Sequence, residues 1–170
     1  KMIDGQLAVS GTREVLEAYT VRGSIVVRNV AGNTSVESID APVTITDASG
    51  NLRVRGSRGA VSLKGIRATM SVSTVSGNVG LLGSIAEGRV ETIGGRIEVD
   101  GVAPGGTLEL QSHNGVLDIR VPKSRIPLLD LSSRSGTVRG KELRGAASNG
   151  HIIARSFKGD VTAHVAAPTR

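Results

Sequence analysis

Gly23-Ser24-Ile25-Val26-Val27-Arg28-Asn29-Val30-Ala31 and the stretch that follows it, Gly32-Asn33-Thr34-Ser35-Val36-Glu37-Ser38-Ile39-Asp40, are two copies of one nine-residue frame. The frame reads Gly-x-Φ-x-Φ-x-x-Φ-x, with Φ apolar, and Thr34 is the only departure in this pair. Extended in both directions, it predicts twelve uninterrupted frames from Gly5 to Ser112. The fifth position is aliphatic throughout: Val9, Ala18, Val27, Val36, Ile45, Val54, Leu63, Val72, Leu81, Val90, Val99 and Leu108. The third position fails at Thr34, Gly88 and Gly106, and the first is Gly or Ala except at Glu14 and Pro104. A fixed period with small residues at one phase marks a repeat architecture.

The apolar residues alternate within each frame, the period of a strand with one buried face. A helix would carry a glycine about every nine residues, each costing about 1 kcal/mol. Every frame has the same phase rather than a mirrored one, so successive strands coil instead of forming hairpins. Equivalent frames then stack in parallel at about 4.8 Å. The seventh position doubles the period. It reads Asn29, Asp47, Gly65, Gly83 and Gly101 in one set of frames, against Ser38, Gly56, Thr74, Thr92 and Leu110 in the other. Asn, Asp and Gly tolerate left-handed backbone, so the two corners of the coil differ. The expectation is an all-β, single-domain parallel β-solenoid, a flattened two-sheet coil of about 18 residues. With one Tyr, one Phe and no Trp, its core is a thin stack of Val, Ile and Leu. All the Φ positions, the eighth included, read as packing.

Beyond Ser112 the beat breaks at His113 and Asn114. An irregular coil, 113–149, holds a loop bracketed by Pro122 and Pro127, which belong at strand ends or on an edge. Frames resume from Gly150 and Gly159, so the solenoid is expected to span 1–170 as one domain, with its coils stacked in sequence order. No run reaches the ~18 apolar residues of a membrane span. The chain opens at Lys1, compatible with a longer parent bearing a trimmed leader or anchor. Absence of cysteine excludes disulfides and thiolate metal sites.

Two phrases carry a family resemblance. Glu91-Thr-Ile-Gly-Gly-Arg-Ile-Glu-Val-Asp-Gly-Val102 and Ser73-Thr-Val-Ser-Gly-Asn-Val79 resemble a recurring phrase of the bacterial adhesin-domain family, glycine-punctuated β-solenoids of largely unknown function. The strand ending at Val121-Pro122, with its short loop and a strand closing at Ser135-Gly136, is similar to another family feature. The resemblance covers about Gly23 to Val165. It implies a solenoid fold and an extracytoplasmic, cell-envelope setting in bacteria, and it transfers no catalytic residue.

The residues that could carry chemistry are sparse. Gly94-Gly-Arg-Ile-Glu-Val-Asp100 approaches a calcium-binding nonapeptide, but other frames lack an Asp at that phase, so no ladder of oxygen ligands forms. His113, His151 and His164 lie in frames of different phase, which argues against a metal site. Glu98 and Asp100 share one outward face, with Glu91 and Glu109 on the other, and Arg89 is placed to bridge Glu91 or Glu109. A carboxylate pair could serve a polysaccharide-active enzyme, but no long loops build a cleft, and the expectation is no enzyme and no cofactor. A Thr-x-Thr array on the outer face is interrupted by Arg53, Arg55, Lys64 and Leu82.

Charge is banded. Residues 1–47 net −2, 48–86 net +5, 87–118 net −4 and 119–170 net +7, within a total of +6. One basic belt comprises Arg53, Arg55, Arg58, Lys64 and Arg67. A second, near one end, comprises Lys123, Arg125, Arg134, Arg139, Lys141 and Arg144. Clustered cations concentrate anions and speed encounter, so these residues are the expected contacts for an envelope protein or an anionic polymer. The alternative use of the stripes is to set register in self-association through the solenoid ends. Nucleic acid is disfavoured, because only Tyr19 and Phe157 could stack on bases. The expected role is a non-enzymatic binding or scaffold module at the cell envelope.

Overall fold

The computed structural model describes residues 3–83 and 85–166. Within them the chain is all-β with no helix, a parallel solenoid of about 8 turns with ~18-residue coils. Its strands are β1 (Gln6–Ser10), β2 (Val15–Thr20), β3 (Ser24–Ser38), β4 (Val43–Gly56), β5 (Val61–Lys64), β6 (Arg67–Thr74), β7 (Val79–Leu82), β8 (Glu87–Thr92), β9 (Ile97–Asp100), β10 (Thr107–Ser112), β11 (Leu117–Val121), β12 (Pro127–Ser133), β13 (Val138–Arg139), β14 (Ala146–Ser156) and β15 (Val161–Val165). The front face stacks β1, the first half of β3, the first half of β4, β5, β7, β9 and β11. The back face stacks β2, the second halves of β3 and β4, then β6, β8 and β10. β3 and β4 run around a corner unbroken, joining both faces in one hydrogen-bonded ladder.

The third and fifth positions fill the thin space between the faces. Ile25, Val27, Ile45, Val54, Leu63 and Val90 are all at or near full burial. Each such side chain contributes about 1.5–3 kcal/mol. The gap at Gly88 is filled from the neighbouring coils, because a Cβ there would meet the Met70 side chain and the tip of Leu108.

The corner expectation holds. Asn29, Asp47, Gly65, Gly83 and Gly101 all take positive φ, between 51° and 97°. At the opposite corner hydroxyls turn inward and cap the turn: Ser38 Oγ donates to the Ala41 carbonyl at 2.9 Å, and Thr92 Oγ1 accepts from Gly95 N at 3.1 Å. First-position glycines line this corner because each coil passes against the next. A Cβ on Gly77 would overlap the Gly59 carbonyl oxygen, and one on Gly95 that of Gly77.

Three sequence expectations are corrected. First, the frame breaks before Ser112. Glu87 pairs with Thr69 at the regular offset of 18, but Thr107 pairs with Glu87 at 20. The two extra residues lie in the Pro104-Gly105 turn, closed by Gly106 N donating to the Ala103 carbonyl at 3.0 Å. Leu108 therefore stands in the third-position column beside Gly88, and Leu110 in the fifth beside Val90.

Second, sequence order is not axial order at the far end. β14 lies between β10 and β12 on the back face, and β15 lies between β11 and β13 on the front. The last turn of the chain is inserted between the two turns that precede it. The glycine column records the same order, for a Cβ on Gly115 would strike the Gly95 carbonyl, one on Gly159 that of Gly115, and one on Gly136 that of Gly159. Pro122 and Pro127 do fall at strand ends, and the five-residue connection 122–126 between β11 and β12 steps past one level of the back face.

Third, the eighth position is not uniformly buried. Positive φ at the seventh residue resets the alternation at the front-to-back corner, so Val30, Ala48, Ile66 and Val102 turn inward, at 0–5 % exposure. At the back-to-front corner the alternation simply continues. From Ser38 onward no residue there has positive φ, the seventh-position hydroxyls go in, and the eighth residues come out: Ile39 at 37 %, Val75 at 47 % and Ile93 at 54 % exposure.

Candidate functional site

The far end of the solenoid is built by β12, β13 and the connections around them. Pro122 closes β11, and Arg125 N donates to the Pro122 carbonyl at 3.1 Å, which turns Lys123 and Arg125 outward. Arg134 follows β12 at the corner and Arg139 lies on β13. Lys141 lies within a turn closed by Leu143 N on the Gly140 carbonyl at 3.1 Å, and Arg144 follows it. Beneath this charged rim, the partly buried Ile126, Leu129, Val138 and Leu143 pack on the core. All six cations are exposed, and among the described residues none forms an ion pair. Arg134 instead lies over the Phe157 ring, 5.1 Å from its centroid, a cation–π contact.

The middle belt is dispersed by the fold. Arg53 and Arg55 are on the back, Lys64 is on the front, and Arg58 and Arg67 lie at opposite corners. Arg58 is neutralised by Asp40 at 2.6 Å, while Arg53 stands between Ser35 and Ser71 in its outward column. That column borders a shallow groove of about 540 Å³, walled by Asn33, Asn51 and Thr69. Asn51 Nδ2 donates to Asn33 Oδ1 at 2.9 Å across adjacent coils.

The acidic coils behave differently, because their cations are compensated. Arg89 bridges Glu91 at 2.6 Å and Glu109 at 3.4 Å, as the sequence anticipates. The Glu91 hydrogen bond and charge, with Glu109 behind them, push the Arg89 pKa further above its usual value. On the front, Arg96 lies 3.5 Å from Glu98 and 3.6 Å from Asp118. Glu98 and Asp100 share that face, bordering a hollow of about 220 Å³ that opens where Gly80 lacks a side chain. Arg96 compensates both carboxylates, Glu98 half-exposed and Asp118 largely covered.

Several contacts escape sequence reasoning because they exist only through the inserted turn. His164 Nδ1 lies 3.3 Å from Asp118, and Arg155 reaches Glu109 at 3.9 Å and Asp130 at 4.0 Å. His113 stacks on Phe157 with ring centroids 4.8 Å apart and planes 6° from parallel. The residues in each pair are dozens of positions apart, so no local pattern announces them. His151 sits at a regular strand position beside Thr107. Among the described residues no group of three or more His, Asp or Glu gathers as metal ligands.

No family model matches the chain, and neither curated proteins nor solved structures give a match.

Proposed function

We propose that this solenoid is a non-enzymatic binding module of the adhesin type at the bacterial cell envelope, docking an anionic polymer or an acidic envelope protein through its far end. The observation that carries the reading is the contrast in charge pairing. Arg58, Arg89, Arg96 and Arg155 are held in ion pairs along the coils, whereas Lys123, Arg125, Arg134, Arg139, Lys141 and Arg144 crowd one end and, among the described residues, form no ion pair. Such cations keep their field for an incoming anion and raise its rate of encounter. The apolar seal beneath them holds their backbone in place without using their charge.

The test is capture of binding partners from bacterial envelope extract at low and high salt. It compares the native chain with the triple variant Arg134→Glu, Arg139→Glu, Arg144→Glu. These positions are exposed, so the variant keeps its circular dichroism. Raising salt from 0.1 M to 1 M shortens the screening length from about 10 Å to 3 Å, and capture should fall with it. A polymer or acidic protein enriched by the native chain and lost in the variant is the expected result. Equal retention by the variant would remove these residues from the contact.

A further inference from the structure

The exposed eighth-position residues form a single file along the back-to-front edge. Val75, Ile93, His113, Phe157 and Arg134 occupy successive coils. Backbone hydrogen bonds tie the neighbours: Gly94 N to the Val75 carbonyl, Asn114 N to Ile93, Lys158 N to His113 and Ser135 N to Phe157. Ile39 lies on the same edge nearer the amino-terminal end, two coils before Val75. The five residues span about 19 Å at four coil spacings. Ile39, Val75, Ile93 and Phe157 make up half of the exposed large apolar side chains among the described residues. The fold does not require them to be apolar, since Ser57 sits in the same file.

The far end of the file is different in kind. Phe157 is covered on one face by His113 and approached by the Arg134 guanidinium, and it remains 36 % exposed. Lys158 follows it, exposed and without an ion pair among the described residues. The ridge thus runs from aliphatic side chains into an aromatic–cation stack and then onto the cationic end.

We propose that this edge is a lipid-contact ridge, its partner an anionic bilayer surface that takes Val75, Ile93 and Phe157 among its acyl-chain boundaries while Arg134, Lys158 and the end cations meet the headgroup phosphates. Shape favours lipid over a protein partner. The ridge is convex and one residue wide, with side chains of unequal size, so a protein would need a matching groove, whereas a fluid interface moulds to any ridge. Charge agrees, since cations cluster at one end of the ridge, and a small apolar insertion combined with a basic patch is the pairing that holds a peripheral protein on anionic lipid. The inference rests on the anion-docking reading of the far end and adds an apolar contact to it.

The experiment is flotation with vesicles of phosphatidylcholine alone and of phosphatidylcholine containing about one-third phosphatidylglycerol, an anionic charge of the kind a basic patch attracts. The chain should partition onto the anionic vesicles. The ridge variant Val75→Asn, Ile93→Asn, Phe157→Asn should lower that partition by about tenfold or more, because it withdraws three apolar side chains. Its fold is checked by circular dichroism and urea unfolding. Absence of flotation by the native chain, or equal flotation by the ridge variant, overturns the ridge. So does a protein captured through the ridge without any vesicle binding. Retention on a polyanion resin separates the two readings: it depends on Arg134, Arg139 and Arg144 and is unchanged in the variant that replaces Val75, Ile93 and Phe157. A chain that binds the resin but ignores vesicles therefore sinks the lipid contact and leaves anion docking standing.

Discussion

Replacing Glu109 and Ile153 together with cysteine probes the inserted turn directly. The two residues are register partners on adjacent strands, and Ile153 is in turn the partner of Asp130. Neighbouring strands lie about 4.8 Å apart, within the 4.4–6.8 Å Cα separation that a disulfide accepts. Glu109 and Asp130 are two spacings apart, about 9.6 Å, which is beyond reach. If coils stacked in sequence order, the outcome would reverse, since β12 would then lie directly against β10. The native chain has no cysteine, so no other thiol competes. The Glu109–Ile153 bridge closes a loop of roughly 45 residues, worth about 4 kcal/mol in unfolded-chain entropy. Removing Glu109 forfeits its partly exposed bridges to Arg89 and Arg155 and the hydrogen bond from Gln111 Nε2, together about 1 kcal/mol. The net gain of about 3 kcal/mol should raise the unfolding midpoint by roughly 10 °C for a domain this size. The assay is thermal unfolding of oxidised and reduced protein, with thiol titration and peptide mapping of the bridge. Ready oxidation of Glu109→Cys/Asp130→Cys, with Glu109→Cys/Ile153→Cys remaining reduced, would refute the insertion.

Other outcomes follow from the same packing. Gly115→Ala drives a Cβ into the Gly95 carbonyl and should cost about 2 kcal/mol or more in urea unfolding. Gly80→Ala meets nothing within 4 Å and should be neutral within about 0.5 kcal/mol; equal losses for the two would contradict the glycine column. Val54→Asp puts a charge into a site that is 1 % exposed and should destabilise by several kcal/mol, so an unchanged cooperative transition would place the fifth position outside. Ile66→Asn should cost several kcal/mol, whereas Ile93→Asn should stay within about 0.5 kcal/mol. Equal effects would erase the difference between corners.

Much of the candidate site was visible in sequence without its geometry. The six end cations could be grouped from their crowding between 123 and 144, and they do share one end. The middle belt could be grouped by the same reasoning, yet it is dispersed, because neighbours along a coiling chain alternate between faces and corners. Arg58 has the composition of a free cation and is neutralised by Asp40 one coil away. No local pattern announces that Phe157, the only phenylalanine, lies between His113 and Arg134, because each comes from a different turn.

Local chemistry alone determines the coil. The nine-residue beat dictates which side chains face inward, and Asn29, Asp47 and the glycines at 65, 83 and 101 specify the left-handed corner, since each is a property of one residue and its immediate neighbours. The order of the last three turns is of another kind. Every coil presents the same parallel edge and the same apolar columns, so a strand can pair with equal local satisfaction at several levels. Local pattern cannot choose among them. The choice falls to contacts that exist only once the turns are stacked: the connection bracketed by Pro122 and Pro127, Leu143 closing the end, Arg155 between Glu109 and Asp130, and Phe157 between His113 and Arg134.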